Sequence, residues 1–384
     1  MKIVQVSLRF DAPGGVETTV RELARELRAR GDEVAIFASD LVDEASWSRG
    51  VDFRPSVDGV PVRRFPVRRG VAPGVSLPWM VGLGAALRTS GADLIHAHSH
   101  RYGHVLQAAA AARRAGIPLV VSTHYHPADP WEPRWKRPLL RAEDLLFGAS
   151  AYRSAGAVVV ESAREAELVG AFAPRDRLRV IPPGIDLGEW ADPAGDRARA
   201  PALPPSYLLY AGRLAANKGL PVLFEALGRL PPPERTPLVL MGPPWGENPA
   251  LEALARRLEV DQDVRWLGNV PERAAYRAVL RGASALLLPS AWEAYGLVLL
   301  DAMAAGVPIV ASDRGAIPEV LDQGRCGRLV PYGDPGALAA ALRELRQDPE
   351  AAGRRVAAAS ERVRALTWSA SAERFRALYR SLGS

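Results

Sequence analysis

The stretch SALLLPSAWEAYGLVLLDAMAAGVPIVASD, Ser284–Asp313, decides how this chain folds. A short β-rich run, SALLLPS, meets a loop, AWEAY, then an apolar segment of helical length, GLVLLDAMAAG, and a second β-rich run, VPIVASD. Strand, crossover helix and strand in that order build a parallel sheet. The helical segment carries Leu297, Val298, Leu299, Leu300, Ala302 and Met303, apolar on nearly every side, which predicts a helix buried all round. Two carboxylates interrupt it. Glu293 falls at the carboxyl end of the first strand, where such sheets bind ligands. Asp301 falls inside the helix and requires donors, because an unpaired buried carboxylate is costly; a structural network and ligand hydroxyls would serve equally. The N–H groups around Tyr295 to Val298 favour an anionic ligand such as a diphosphate.

The same alternation runs outward in both directions. In the first half, strand-like runs cover 2–8, 33–39, 60–66, 92–97, 118–123, 157–162 and 177–182; in the second, 207–212, 237–242, 264–269, 284–290, 307–313 and 326–331. Helical patterns separate them, as in VETTVRELARELRARG, which stops at Gly31. Residues 191–206 are rich in Pro and Ala without periodicity and read as a linker. The expectation is two doubly wound, Rossmann-like α/β domains facing each other across a cleft. They cover 1–190 and 207–366, and a terminal helix, 367–384, crosses back to the first. A chain of 384 residues exceeds what one hydrophobic core usually supports.

Composition removes several classes of function. The apolar fraction is 48%, the charged fraction 24%, and no run approaches the length of a membrane span. The net charge of +6 is spread along the chain, and no zinc-finger spacing or RNP-like strand appears, so nucleic acid is not an expected partner. A single cysteine, Cys326, excludes an internal disulfide and, with no export signal at MKIVQVSLRF, points to the cytoplasm. The segment WEPRWKRPLLR, 131–141, joins Trp131 and Trp135 to four cations. It reads as a solvated face or as a peripheral contact with the inner face of an anionic membrane. Oligomeric state stays open.

Three further constellations lie where strands end. In YAGRLAANKGL, Gly212, Arg213, Lys218 and Gly219 occupy the turn into a helix. Only three lysines, Lys2, Lys136 and Lys218, stand among 49 basic residues, so a lysine here departs from the chain's habit. A compact ammonium suits a point contact with a phosphate oxygen and arginine a forked one. In PGGVE, Gly14 and Gly15 permit close backbone approach after the first strand, although the pair is not a dinucleotide fingerprint. The histidines cluster in LIHAHSHRYGH and VVSTHYHP. Without carboxylate or cysteine at ligand spacing they suit hydrogen bonding to a polar substrate better than a metal, and His98 suits an orienting role.

Taken together, these residues resemble family 4 retaining glycosyltransferases of the GT-B fold. A GGxE loop matches Gly14, Gly15 and Glu17; a strand-end His matches His124, six residues after Pro118; a PxGxD turn matches Pro182, Gly184 and Asp186. A GR(L)xxxKG motif matches Gly212, Arg213, Lys218 and Gly219, and an ExFGxxxxEAxxxGxPVV motif matches Glu293 to Val310. Order and spacing agree at five places across nearly the whole chain. The resemblance implies transfer of a sugar, with retention, from a nucleoside-diphosphate sugar (a UDP-sugar or GDP-mannose) to a hydroxyl acceptor, without metal or other cofactor. It implies that Arg213 and Lys218 hold the diphosphate, that His124 and Glu293 contact the donor sugar, and that Gly14, Gly15, Gly212, Tyr295, Gly296 and Leu297 line the donor site. Asp301 would take the ribose hydroxyls. Glu17, His98 and His126 fall to the acceptor side or to structure. Two positions depart from the pattern: Asp301 stands where the family usually has Glu, and Tyr295 where Phe is commoner. A nucleotide-sugar isomerase and a non-catalytic binding subunit are the rival readings.

Overall fold

A computed structural model describes residues 1–10, 14–43, 47–50, 55–69, 78–127, 134–243 and 248–383. The chain divides into two units, Met1–Pro183 with Trp368–Ser384, and Gly184–Thr367.

The first unit is built on eight strands: β1 (Lys2–Ser7), β2 (Glu33–Ser39), β3 (Ser56–Val57), β4 (Val60–Phe65), β5 (Leu94–His98), β6 (Leu119–Ser122), β7 (Ala157–Val160) and β8 (Leu178–Val180). Their order in the sheet is β8-β7-β6-β5-β1-β2-β4-β3, and every pair is parallel except β3 with β4. Every residue of β5, β6 and β7 is buried. A parallel sheet covered on both faces demands this, which is why these strands read as nearly continuous apolar runs. His96 and His98 in β5 and Gln5 in β1 are buried polar side chains, each wholly shielded from solvent.

The helix Gly15–Ala29 buries Val20, Leu23, Ala24 and Leu27 at helical spacing, and Gly31 ends it with φ 85°. The last helix, Trp368–Leu382, sets Ala372, Phe375 and Tyr379 into the same core as Leu23 and Leu94. Arg376 fixes it further with a 2.8 Å hydrogen bond to Asp32. The terminal helix thus joins the first unit. Two short hairpins, Leu41–Asp43 with Ser48–Arg49 and Val67–Arg69 with Pro78–Met80, left no readable alternation in the sequence because their strands are too short.

The second unit carries β9 (Leu208–Ala211), β10 (Leu238–Met241), β11 (Val264–Gly268), β12 (Ala285–Leu288), β13 (Ile309–Ser312) and β14 (Arg328–Val330). All are parallel, in the order β11-β10-β9-β12-β13-β14. The helix Leu297–Ala305 buries Leu299, Leu300, Ala302 and Met303, but Leu297 and Val298 in its first turn are half-buried. Burial on every side, expected from composition, is therefore corrected: the helix packs between Arg273–Gly282 and Pro349–Val363, and its opening turn keeps an open flank.

The division between units falls at Pro183, not at 190. Ile185 and Trp190 are core residues of the second unit. Residues 191–206, expected as a linker, hold the short helix Pro193–Arg197, capped by Asp192. Its buried Asp196 accepts hydrogen bonds from Arg277 at 2.9 Å and Arg281 at 3.3 Å. Ion pairs to a distant helix anchor this segment, and periodicity does not register such pairs. Among the described residues, no helix is long and apolar enough to cross a membrane.

Candidate functional site

In the second unit β9 and β12 are neighbours, so the loops that follow them emerge side by side. After β9 the chain passes Gly212 and Arg213 into a tight turn, Ala216–Lys218, and Gly219 adopts φ 69° before the helix Leu220–Gly228. A Cβ at Gly219 would collide with the Pro289 carbonyl oxygen, so only glycine lets this turn close on the end of β12. The Ala291 N–H donates to the Asn217 carbonyl at 2.8 Å and ties the two loops together. Lys218 Nζ then donates to Glu293 Oε1 at 2.7 Å. The two side chains are only 11% and 12% exposed. Ser290 Oγ donates to the same oxygen at 2.7 Å, and the Tyr210 hydroxyl donates to the Arg213 carbonyl at 2.6 Å.

Gly315, φ 60°, is a position the sequence reading missed. A Cβ there would collide with the backbone of Glu293, and the next residue, Ala316, donates its N–H to the Glu293 carbonyl at 3.0 Å. The turn SDRG after the strand VPIVA was the available signal. Ser290, beside Glu293, was also missed. Gly296, φ 90°, precedes the helix that begins at Leu297, while Tyr295 is a buried core residue packed with Leu299 and Leu300.

Asp301 has its donor within the protein. The Tyr276 hydroxyl, from the helix Arg273–Gly282, donates to Asp301 Oδ2 at 2.8 Å. Burial raises the Asp301 pKa, opposed by the charge of Arg273 and the Tyr276 hydrogen bond. Arg273 in turn donates to Glu189 at 2.7 Å. Of the two sources of donors open from sequence, a protein network is the one present in the fold. Part of the MGPPWG loop, residues 244–246, lies outside the described residues, as do Trp131 and Pro13.

In the first unit the GGxE loop folds on itself. Gly14 leaves room for the Glu17 carboxylate, which pairs with Arg9 at 2.9 Å, and Gly15 opens the helix. His124, at φ 43°, follows β6 in a backbone conformation uncommon for a residue with a Cβ. Its Nδ1 lies 2.9 Å from Glu161 Oε1, beyond β7, and its Nε2 lies 3.3 Å from Nδ1 of His98, at the end of β5. His98 Nε2 meets Gln5 Oε1, from β1, at 2.9 Å. His104 donates from Nε2 to the His98 carbonyl at 2.7 Å. His126 is exposed, and its carbonyl accepts from Arg101 at 3.0 Å.

These histidines titrate in opposite directions. Burial, then the His124 charge, lowers His96 to about 3, and its ring is held by Ser122 at 2.8 Å and the Tyr379 hydroxyl at 2.7 Å. Burial likewise drives His98 well below its ordinary value and His104 to about 4. For His124 burial also opposes the charge, but the Glu161 carboxylate, with Glu165 and Glu17, overrides it and raises the pKa. Glu165, accepting from Thr123 and from the Tyr125 N–H at 2.7 Å and the Glu161 N–H at 2.6 Å, is pushed up to about 7 by burial and by Glu161. Gln5, Glu161 and Glu165 escaped the sequence reading, although a glutamine inside the apolar strand KIVQVS was a legible signal. Among the described residues no three His, Cys, Asp or Glu side chains are grouped as metal ligands.

Parallel sheets in both units, with polar side chains gathered on the loops beyond their carboxyl ends, are the architecture that GT-B glycosyltransferase structures share. A family model described as Glycosyltransferase Family 4 matches residues 13–189, and one described as Glycosyl transferases group 1 matches 205–348. The chain is 31% identical to a D-inositol 3-phosphate glycosyltransferase of Streptomyces scabiei over 94% of its own length and 84% of the other's. Sucrose-phosphate synthase from Thermosynechococcus elongatus shares the fold with TM-score 0.80 at 24% identity, covering 99% of this chain and 98% of that one. The Anabaena protein HepE, solved in complex with UDP and glucose, does so with TM-score 0.78 at 21% identity over the full length of both. The chain belongs to glycosyltransferase family 4.

Proposed function

We propose that this glycosyltransferase moves a sugar from a nucleoside-diphosphate sugar to a hydroxyl acceptor with retention of anomeric configuration and without a metal. The observation that carries the reading is the Lys218–Glu293 pair. A buried ammonium and a carboxylate are fixed 2.7 Å apart on the loops beyond neighbouring strands, one of which also carries Arg213. Lys218 and Arg213 supply positive charge for a departing diphosphate, and preorganised groups that meet charge as it develops supply most of the acceleration in such transfers. Glu293, positioned by Lys218 and Ser290, takes the sugar hydroxyls in this reading, the role the family resemblance gives it. His124, which the family resemblance assigns to the sugar, stands at the strand ends of the first unit. Relatives solved with UDP and named for a phosphorylated inositol acceptor support a UDP-sugar donor and a polyol acceptor. Incubation with UDP- and GDP-sugars plus acceptor, read by the anomeric coupling of the product, tests this. An inverted product, or a rearranged nucleotide sugar formed without acceptor, overturns it.

A second reading concerns location. Trp135, Leu139, Leu145 and Leu146 are exposed around the helix Lys136–Glu143, with Arg134, Lys136, Arg137 and Arg141 among them. Apolar side chains in water next to cations fit a peripheral position on an anionic bilayer.

A further inference from the structure

Gln5, His98, His124 and Glu161 stand on or just beyond β1, β5, β6 and β7, four consecutive strands of the first sheet, so the sheet order itself lines them up. Gln5 and His98 are wholly buried and His124 is 8% exposed. The proton positions can be worked out along this line from donor and acceptor chemistry. Glu161 accepts, so His124 Nδ1 carries hydrogen. Gln5 Oε1 accepts, so His98 Nε2 carries hydrogen, and a neutral His98 then has only a lone pair at Nδ1. The contact of that lone pair with His124 Nε2 closes only if His124 Nε2 also carries hydrogen.

The reverse orientation of the Gln5 amide would make His98 the donor and leave His124 neutral. The charges around His124 decide between the two. Glu161 faces it from the end of β7, Glu165 from the helix Ala163–Val169 and Glu17 from the helix Gly15–Ala29, the last already paired with Arg9. His96 and His98, on β5, are kept neutral by burial. A neutral imidazole would leave the Glu161 carboxylate, only 12% exposed, without its counter-charge, which is the costlier arrangement.

We propose that Gln5, His98, His124 and Glu161 form one hydrogen-bond relay that holds His124 as a doubly protonated imidazolium, with Glu161 as its positioning residue. Both ring nitrogens of His124 are committed to protein partners. It therefore acts as a fixed cation and does not shuttle protons. The charge state stands on the geometry of the relay together with the carboxylates that face His124; its use in sugar transfer rests on the function proposed above.

The test is long-range proton–nitrogen correlation NMR on the full chain labelled with nitrogen-15 histidine, with the His124 signals identified by their loss in His124→Asn. The relay predicts that both His124 nitrogens are protonated at neutral pH and that His98 is protonated at Nε2 alone. In Glu161→Gln, the His124 titration midpoint falls by about one pH unit or more. A wild-type His124 with one bare nitrogen at neutral pH overturns the proposal without any variant, as does a Glu161→Gln protein whose His124 titration is unmoved. If Glu161→Gln fails to fold, Gln5→Leu replaces it, and the His98 tautomer must then lose its bias. A doubly protonated His124 in a protein that transfers no sugar would sink the function and leave the relay standing.

Discussion

Lys218 and Glu293, 75 residues apart in the chain, meet at 2.7 Å. Neither loop holds this geometry alone. Gly219 lets the lysine turn approach Pro289, and Gly315 lets a third loop support the Glu293 backbone. A cation already paired and oriented needs little reorganisation when a diphosphate arrives. That is the condition under which electrostatic catalysis is strong.

Removing this charge tests it most directly. Lys218→Ala is expected to lower kcat/KM for transfer by about two orders of magnitude or more, the usual loss for one transition-state contact. Steady-state kinetics with the donor screened above would show it, and a near wild-type rate would exclude Lys218 from the chemistry.

The two glycines with φ 60° at Gly315 and φ 71° at Gly306 separate backbone strain from crowding. Gly306→Ala meets open space and is expected to cost about 1 kcal/mol. Gly315→Ala adds a collision with Glu293 and should lose clearly more in chemical denaturation, with transfer reduced as well. Equal losses would refute the supporting role of Gly315.

Asp301 and Tyr276 form one unit. Tyr276→Phe leaves a half-buried carboxylate without its donor, and about 1–3 kcal/mol of stability should go with it. Asp301→Asn is expected to weaken binding of the free nucleoside diphosphate more than it slows turnover, measured by calorimetry against kinetics. Unchanged affinity would make Asp301 purely structural.

The His124–Glu161 pair sets a pH dependence of stability. The folded pKa of His124 lies above its ordinary 6.5, so its contribution is complete below that value and is lost as pH rises through the higher folded one. The stability gap between wild type and Glu161→Gln should therefore be wider near about pH 6 than near about pH 9 in urea titrations. A gap that grows with pH would contradict the sign.

Flotation with phosphatidylglycerol vesicles tests the exposed face around Lys136–Glu143. Trp135→Ser with Leu146→Ser should abolish most binding while leaving transfer to a water-soluble acceptor intact, and vesicles of phosphatidylcholine alone should bind weakly. Equal binding of both lipids by wild type would remove the electrostatic part.

Much of the molecule was legible beforehand, because strand and helix periodicities report burial directly. The run SALLLPS and the helix after it gave β12 and Leu297–Ala305, and the GRLAANKG turn, the strand-end His124 and Glu293 fall on loops beyond strand ends as their spacing implied. The five-residue helix at Pro193 escaped because it is held by Arg277 and Arg281, far away in sequence.

The sequence by itself determined the main strands and helices of both sheets, and which polar residues stand at strand ends. Only the tertiary structure decided who meets whom: Lys218 with Glu293, Asp301 with Tyr276, and Gln5 through His98 and His124 to Glu161. Periodicity records whether a residue is shielded from water. The choice of partner depends on strand order and loop closure, which arise from contacts between residues distant in the chain.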